Sequence, residues 1–104
     1  MIKVNVDEAA AYLRTADNCL IYTHTNPDAD TIGSAGTLAL ALRKLGRRAR
    51  VFCADALPAR LSFLRDAAGA DLFTHEQDAA ATPLSVDVAS ENQLGISEAP
   101  LFML

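Results

Sequence analysis

The sequence predicts an α/β fold built on a parallel, doubly wound sheet. Short apolar runs without polar alternation recur along the chain, and such runs are typical of parallel strands that are buried on both faces. These runs are 19–23, 50–54 and 84–88. Apolar residues at helical spacing separate them. These helical patterns lie near 6–16, 31–45 and 58–67. Strands that alternate with helices favour right-handed crossovers and a parallel sheet.

The first predicted helix begins with a capping box. Asn5 offers a side-chain acceptor at the N-cap, and Glu8 is placed three residues later to accept from the backbone of Asn5. Polar residues at 17–18 end this helix, and the apolar run 19–23 follows as a buried strand. The sequence therefore places His24 at the carboxyl end of the first of the three predicted strands.

The second predicted helix begins near Asp30 or Thr31 and ends before Gly46, a residue type that commonly follows a helix. Either Asp28 or Asp30 is a suitable N-cap residue. The first turns contain the small residues 33–36, although glycine is a poor helix former. Small side chains there favour close packing on a sheet or the close approach of a ligand.

The remaining elements are shorter. Pro58 suits the first turn of the third predicted helix. Residues 71–73 are predicted to form a short edge strand, and the polar, alanine-rich segment 76–83 is predicted to be a loop or a loose helical turn. The last predicted strand, 84–88, carries Asp87 near its carboxyl end.

The composition indicates one small domain. The chain has 104 residues, of which 51% are hydrophobic, and this is enough to bury a core. Cys19 and Cys53 lie in apolar runs, so we expect buried, reduced thiols and a cytoplasmic protein. No apolar run approaches the roughly 18 residues of a membrane span, so we expect no membrane partner.

The net charge of −4 conceals an uneven distribution. Seven of the nine basic residues lie between Arg43 and Arg65 with a single acid, whereas residues 66–104 contain seven acids and no base. An acidic chain is unsuited to avid nonspecific nucleic-acid binding. The basic segment remains open to two interpretations: solvated helix ends, or a surface that faces phosphates.

The loop after the first of these three strands contains the residues best suited to chemistry. His24, Asp28 and Asp30 lie within seven residues, at a junction where open α/β sheets bind their ligands. The two neighbouring carboxylates would repel each other without a cation, and imidazole and carboxylate together suit manganese, iron or zinc. If the last strand is a neighbour, Asp87 reaches the same edge. We therefore expect these four side chains to converge on one or two metal ions.

These residues resemble the first motif of the DHH phosphoesterase superfamily, which includes RecJ-type exonucleases, family II inorganic pyrophosphatases and oligoribonucleases. The motif His-x-Asn-Pro-Asp-x-Asp-x-Ile-Gly-Ser is matched at 24–34, and Val-Asp-Val-Ala-Ser followed by Gln-Leu-Gly resembles the second motif. The resemblance implies a DHH-type, Rossmann-like sheet. It assigns His24 and Asp28 to one ion, Asp30 to its neighbour, and Asp87 to a bridging position.

The resemblance also implies hydrolysis of short oligonucleotides or nucleotide phosphates by a two-metal mechanism, with Mn²⁺ or Mg²⁺ as the cofactor. No catalytic residue is assignable beyond the metal ligands. Asn26 and Ser34 are candidate substrate-binding residues, and Ser34 also suits a packing or capping role. The third motif, Asp-His-His, is absent from the 104 residues, as is the C-terminal substrate domain. We therefore expect residues 1–104 to be the N-terminal portion of such a domain, incomplete and poorly active alone.

Other interpretations stay open. One is a fragment or paralogue without catalysis that binds a metal or a nucleotide. Another is an aspartyl-nucleophile phosphatase, whose Asp-x-Asp-Gly-Thr is faintly similar to residues 28–31, although its nucleophile directly follows a strand. His75, in a polar stretch, is predicted to lie on the surface. The apolar run 101–104 needs burial, which could come from homo-oligomerisation.

Overall fold

The computed structural model describes residues 2–3, 5–23, 28–54, 59, 62–63, 69–86 and 102–103. The strands are β1 (Ile2–Lys3), β2 (Asn18–Tyr22), β3 (Arg48–Phe52), β4 (Phe73–Thr74), β5 (Thr82–Ser85) and β6 (Phe102–Met103). The α-helices are α1 (Val6–Thr15) and α2 (Ala29–Lys44), and a short 3-10 helix (Ala70–Leu72) precedes β4.

The strands form one sheet in the order β1-β6-β5-β2-β3-β4, and every described pair is parallel. β2 lies between β3 and β5, and Tyr22 is in register with both Phe52 and Ser85. Helix α2 connects β2 to β3, which is the crossover that a parallel pair requires. The predicted α/β class with a parallel sheet is therefore confirmed.

The predicted boundaries of two strands are wrong by two or three residues. The strand expected at 50–54 begins at Arg48, and the strand expected at 84–88 begins at Thr82 and ends at Ser85. The apolar pattern does not locate the ends of these strands, because a strand extends through polar residues wherever its backbone forms hydrogen bonds with a neighbouring strand. The short edge strand expected at 71–73 is found as β4, which begins two residues later, because residues 71–72 belong to the 3-10 helix.

Two strands have no counterpart in the sequence prediction. β1 and β6 are two residues long, so neither shows a periodicity. β6 comes from the apolar C-terminal run and lies between β1 and β5 of its own sheet. The helix predicted at 58–67 lies mostly outside the described residues.

Helix α2 packs against one face of the sheet, and the hydrophobic core lies between them. It contributes Ile32, Ala35, Ala39 and Leu42. The strands contribute alternate residues, as the pleat of a strand requires. These are Cys19, Ile21, Ala49, Val51 and Leu84. Alanine on the helix allows its backbone to approach the sheet closely, and each large buried aliphatic side chain contributes about 1.5–3 kcal/mol.

The opposite face of β2 is also buried. Leu20 and Tyr22 are at most 3% exposed, and the ring centroid of Tyr22 lies 4.8 Å from that of Phe52. The hydroxyl of Tyr22 accepts a hydrogen bond from Nε2 of Gln77, in the segment between β4 and β5. Part of that segment therefore covers this face.

The ends of both helices follow local rules. The predicted capping box is confirmed: the nitrogen of Glu8 donates to Oδ1 of Asn5 over 2.8 Å, and the nitrogen of Asn5 donates to Oε1 of Glu8 over 3.3 Å. Gly46 follows α2 with a φ of 83°, a conformation that glycine adopts without a steric cost.

Cys19 and Cys53 are buried free thiols, as expected from their apolar surroundings. Burial raises the pKa of both. Among the described residues, no helix has the length and apolar character needed to cross a membrane.

Candidate functional site

The order of strands reverses beside β2. After β2 the chain adds β3 and then β4 on one side, and it returns to place β5 on the other side of β2. In open α/β sheets, ligands bind outside the carboxyl ends of strands at such a reversal. Tyr22 and Ser85 pair in register and are the last residues of β2 and β5. They therefore mark the sheet edge that is formed by the carboxyl ends of the strands.

Thr23 anchors the chain where it leaves β2. Its backbone nitrogen and its Oγ1 each donate a hydrogen bond of 3.1 Å to the carbonyl oxygen of Phe52. Both Thr23 and the neighbouring Ser85 are fully buried. These contacts hold the backbone of Thr23 in place at the carboxyl end of β2, directly before the segment that leads to α2.

Asp28 caps α2. Its Oδ1 accepts a hydrogen bond of 2.8 Å from the backbone nitrogen of Thr31, and its carbonyl oxygen accepts from the nitrogen of Ile32 over 3.0 Å. The sequence left open whether Asp28 or Asp30 has this role, and the structure assigns it to Asp28. A carboxylate at this position is favoured by the partial positive charge of the helix N-terminus.

Asp30 lies in the first turn of α2 with its side chain exposed. Asp28 is exposed as well, so both aspartates are accessible from solvent at the N-terminus of α2. Ser34, four residues after Asp30, is also exposed. The expected packing or capping role of Ser34 is therefore wrong, because Asp28 supplies the cap and the core of α2 is formed by other residues.

The other predicted site residues, His24, Asn26 and Asp87, lie outside the described residues. The convergence of His24, Asp28, Asp30 and Asp87 thus stays a prediction. Within the described ranges, no group of three or more histidine, cysteine, aspartate or glutamate residues is placed to hold a metal ion. His75 is exposed as predicted, and its Nδ1 is 2.8 Å from the carbonyl oxygen of Cys53.

A second candidate site lies at the opposite edge of the sheet, which is formed by the amino ends of the strands, where β2 and β3 begin. A cavity of about 570 Å³ is lined there by four arginines together with Asn18 and Asp78. The arginines are Arg43, Arg47, Arg48 and Arg50. The sequence signal for it was the basic segment, but sequence spacing does not reveal that these side chains surround one cavity.

No model of a known protein family matches the chain. A comparison with curated proteins finds no significantly similar sequence.

Proposed function

We propose that this chain is a DHH-type, metal-dependent phosphoesterase that acts on short oligonucleotides or nucleotide phosphates. The observation that carries the proposal is the position of Asp28 and Asp30. They lie exposed at the N-terminus of the helix that follows the central strand β2, beside the reversal of strand order. The proposal includes a doubly wound sheet, which is supported by the burial of β2 on both faces.

The donor set fits a pair of Mn²⁺ or Mg²⁺ ions. Asp28 is the N-cap residue, with an extended backbone, whereas Asp30 lies in the first turn of α2, so different parts of the chain hold the two carboxylates. This separation favours one ion for each carboxylate, as the resemblance implies. In the sequence, His24 and Asp87 each stand two residues beyond the paired residues Tyr22 and Ser85, so they are the proposed partners.

The chain's own residues would bind and orient the phosphate. The N-terminus of α2 presents a partial positive charge towards an anion. Asp30 and Ser34 are four residues apart and share one face of α2, so the Ser34 hydroxyl is a proposed donor to a phosphate near Asp30. Asn26 is the other proposed contact. Two bound ions would supply an activated water and neutralise charge on the phosphate.

Binding of Mn²⁺ tests the proposal directly. Calorimetric titration of the wild-type chain should give saturable binding, and Asp30→Asn and Asp87→Asn should each weaken it by about tenfold or more, since each removes a charged ligand. The control is Asp7→Asn. Asp7 occupies the second position of α1, as Asp30 does in α2, so this variant makes the same charge change at the same helical position.

Hydrolysis of a 5′-phosphorylated dinucleotide is the second readout. We expect slow, Mn²⁺-dependent turnover in the wild-type chain, because four protein ligands leave many coordination positions of two ions to water. Asp30→Asn should abolish this turnover, and Asp7→Asn should leave it unchanged. Mn²⁺ binding without any turnover would favour a non-catalytic metal-binding domain. Equal Mn²⁺ affinity of the wild-type and Asp30→Asn chains would contradict both functions.

A further inference from the structure

We infer that the cavity lined by Arg43, Arg47, Arg48 and Arg50, hereafter the arginine cavity, binds the phosphate groups of a nucleotide-sized ligand. This site is separate from the proposed metal site. Asn18 and Arg48 pair at the first residues of β2 and β3, whereas Tyr22 and Phe52 pair at the last. Four residue steps along a strand span about 13 Å, so one small ligand would not contact both edges.

The charge of the cavity is opposite to that of the whole protein. Its lining contains four arginines and one aspartate, Asp78, which pairs with Arg50 at 3.1 Å. With Asp17 and Asp71, which pair with two of the other arginines, the group carries a formal charge of +1 (4 − 3). The chain as a whole has a net charge of −4. A concave surface that concentrates positive charge on an acidic protein attracts anions selectively. Its volume of about 570 Å³ is in the range of ligand sites in proteins.

Two of the guanidinium groups are held in place by backbone carbonyls. Nε of Arg43 donates to the carbonyl oxygen of Ala49 over 2.8 Å, and Arg47 donates to the carbonyl oxygens of Leu13, Arg14 and Ala16 at the end of α1. A guanidinium that is already positioned loses less conformational entropy when it binds an anion. These contacts also keep the walls of the cavity in place.

The acidic partners of these arginines are mostly exposed. Arg48 pairs with Asp17 at 3.1 Å, where the two side chains are 73% and 68% exposed, and Arg43 pairs with Asp71, which is 82% exposed. Exposed ion pairs contribute only about 0–1 kcal/mol. Arginine binds phosphate through two parallel, charge-assisted hydrogen bonds, which are stronger. A phosphate can therefore replace Asp17 or Asp71, and the released carboxylate returns to water.

The test uses ADP and inorganic pyrophosphate as probes, titrated calorimetrically in EDTA so that no metal takes part. We expect saturable binding of both probes and no binding of adenosine, because the phosphates are the recognised group. Arg48→Ala should weaken binding by about tenfold, the loss of a charge-assisted pair. Its pairing with Asp17 is exposed, so this variant should still fold.

Lys44→Ala is the matched control, since Lys44 is an exposed base close in sequence that does not line the cavity. It should change the affinity by less than about twofold, as expected for a weak surface charge. Asp17→Asn should tighten binding, because it removes the carboxylate that competes for Arg48. Equal losses in Arg48→Ala and Lys44→Ala, or adenosine binding as well as ADP, would overturn the inference. Neither result bears on the metal site, because EDTA is present throughout.

Discussion

The carboxylate of Asp28 lies 2.8 Å from the backbone nitrogen of Thr31 and so caps the helix that leaves the central strand. The same carboxylate is a proposed metal ligand. A residue with both roles links the stability of α2 to the chemistry at the sheet edge. Substitutions that keep one role and remove the other can separate them.

Asp28→Asn should separate capping from metal binding. Asparagine caps a helix as well as aspartate does, so the free energy of unfolding should change little. Asp28→Ala removes the cap and should lower the free energy of unfolding by about 1 kcal/mol. Both variants should weaken Mn²⁺ binding in calorimetry, because both lose the charge. Urea denaturation measures the stability, and a loss of stability in Asp28→Asn equal to that in Asp28→Ala would contradict the capping assignment.

Arg47→Ala should destabilise the fold. Arg47 donates to three carbonyl oxygens at the end of α1, one of them that of Ala16 at 2.8 Å, and so joins this helix to the turn before β3. Loss of these charged hydrogen bonds should cost about 2 kcal/mol. Lysine lacks the planar guanidinium with its several donors, so Arg47→Lys should retain only part of the stability that Arg47→Ala loses. The control is the exposed neighbour Arg48: a loss in Arg48→Ala as large as in Arg47→Ala, measured by urea denaturation, would refute this role.

Two glycines should respond to alanine in opposite ways. Gly36 lies inside α2, and a Cβ built there meets no heavy atom within 4 Å. Gly36→Ala should therefore stabilise the protein by about 1 kcal/mol, the difference in helix propensity. Gly46 has a φ of 83°, so Gly46→Ala should destabilise it by about 1 kcal/mol or more. Thermal and urea denaturation measure the change in the free energy of unfolding for both variants. Changes of the same sign would contradict this prediction.

Asp78 should make stability depend on pH in the acid range. The backbone nitrogen of Ala80 donates to its carboxylate, and this bond, helped by Asn18 and Arg50, lowers the pKa of Asp78 below its usual 3.8. A lowered pKa stabilises the folded state above the unfolded pKa, and the contribution is lost as the pH falls through the folded pKa.

The difference in the free energy of unfolding between the wild-type chain and Asp78→Asn should therefore be constant from pH 7 to about pH 5. It should decrease below about pH 4. Urea denaturation of both chains at pH 7, 5 and 3 measures it. Asp71→Asn is a suitable control, because Asp71 is largely exposed in its pair with Arg43. An advantage that grows as the pH falls would contradict the lowered pKa.

Much of the candidate site at α2 follows from local sequence. The apolar run before His24 predicted β2, and the polar junction after it predicted that Asp28 and Asp30 stand at the start of a helix. The role of Asp28 as a cap is likewise a local property, because its carboxylate reaches a nitrogen three residues ahead. Whether His24 and Asp87 join these residues remains a prediction, since it depends on contacts between distant segments.

The sequence by itself determined the features that depend on neighbours along the chain. The capping box of α1, the glycine after α2 and the burial of both cysteines are of this kind, because hydrogen bonds over three or four residues and apolar composition decide them. Only the tertiary structure decided the order of the strands, the return of β5 to the free side of β2, and the gathering of four arginines around one cavity. These arrangements are non-local: Arg47 meets α1 more than 30 residues earlier, and Arg50 meets Asp78 28 residues later. Such contacts depend on which packing buries the most apolar surface while it pairs every strand, and no local pattern encodes that choice.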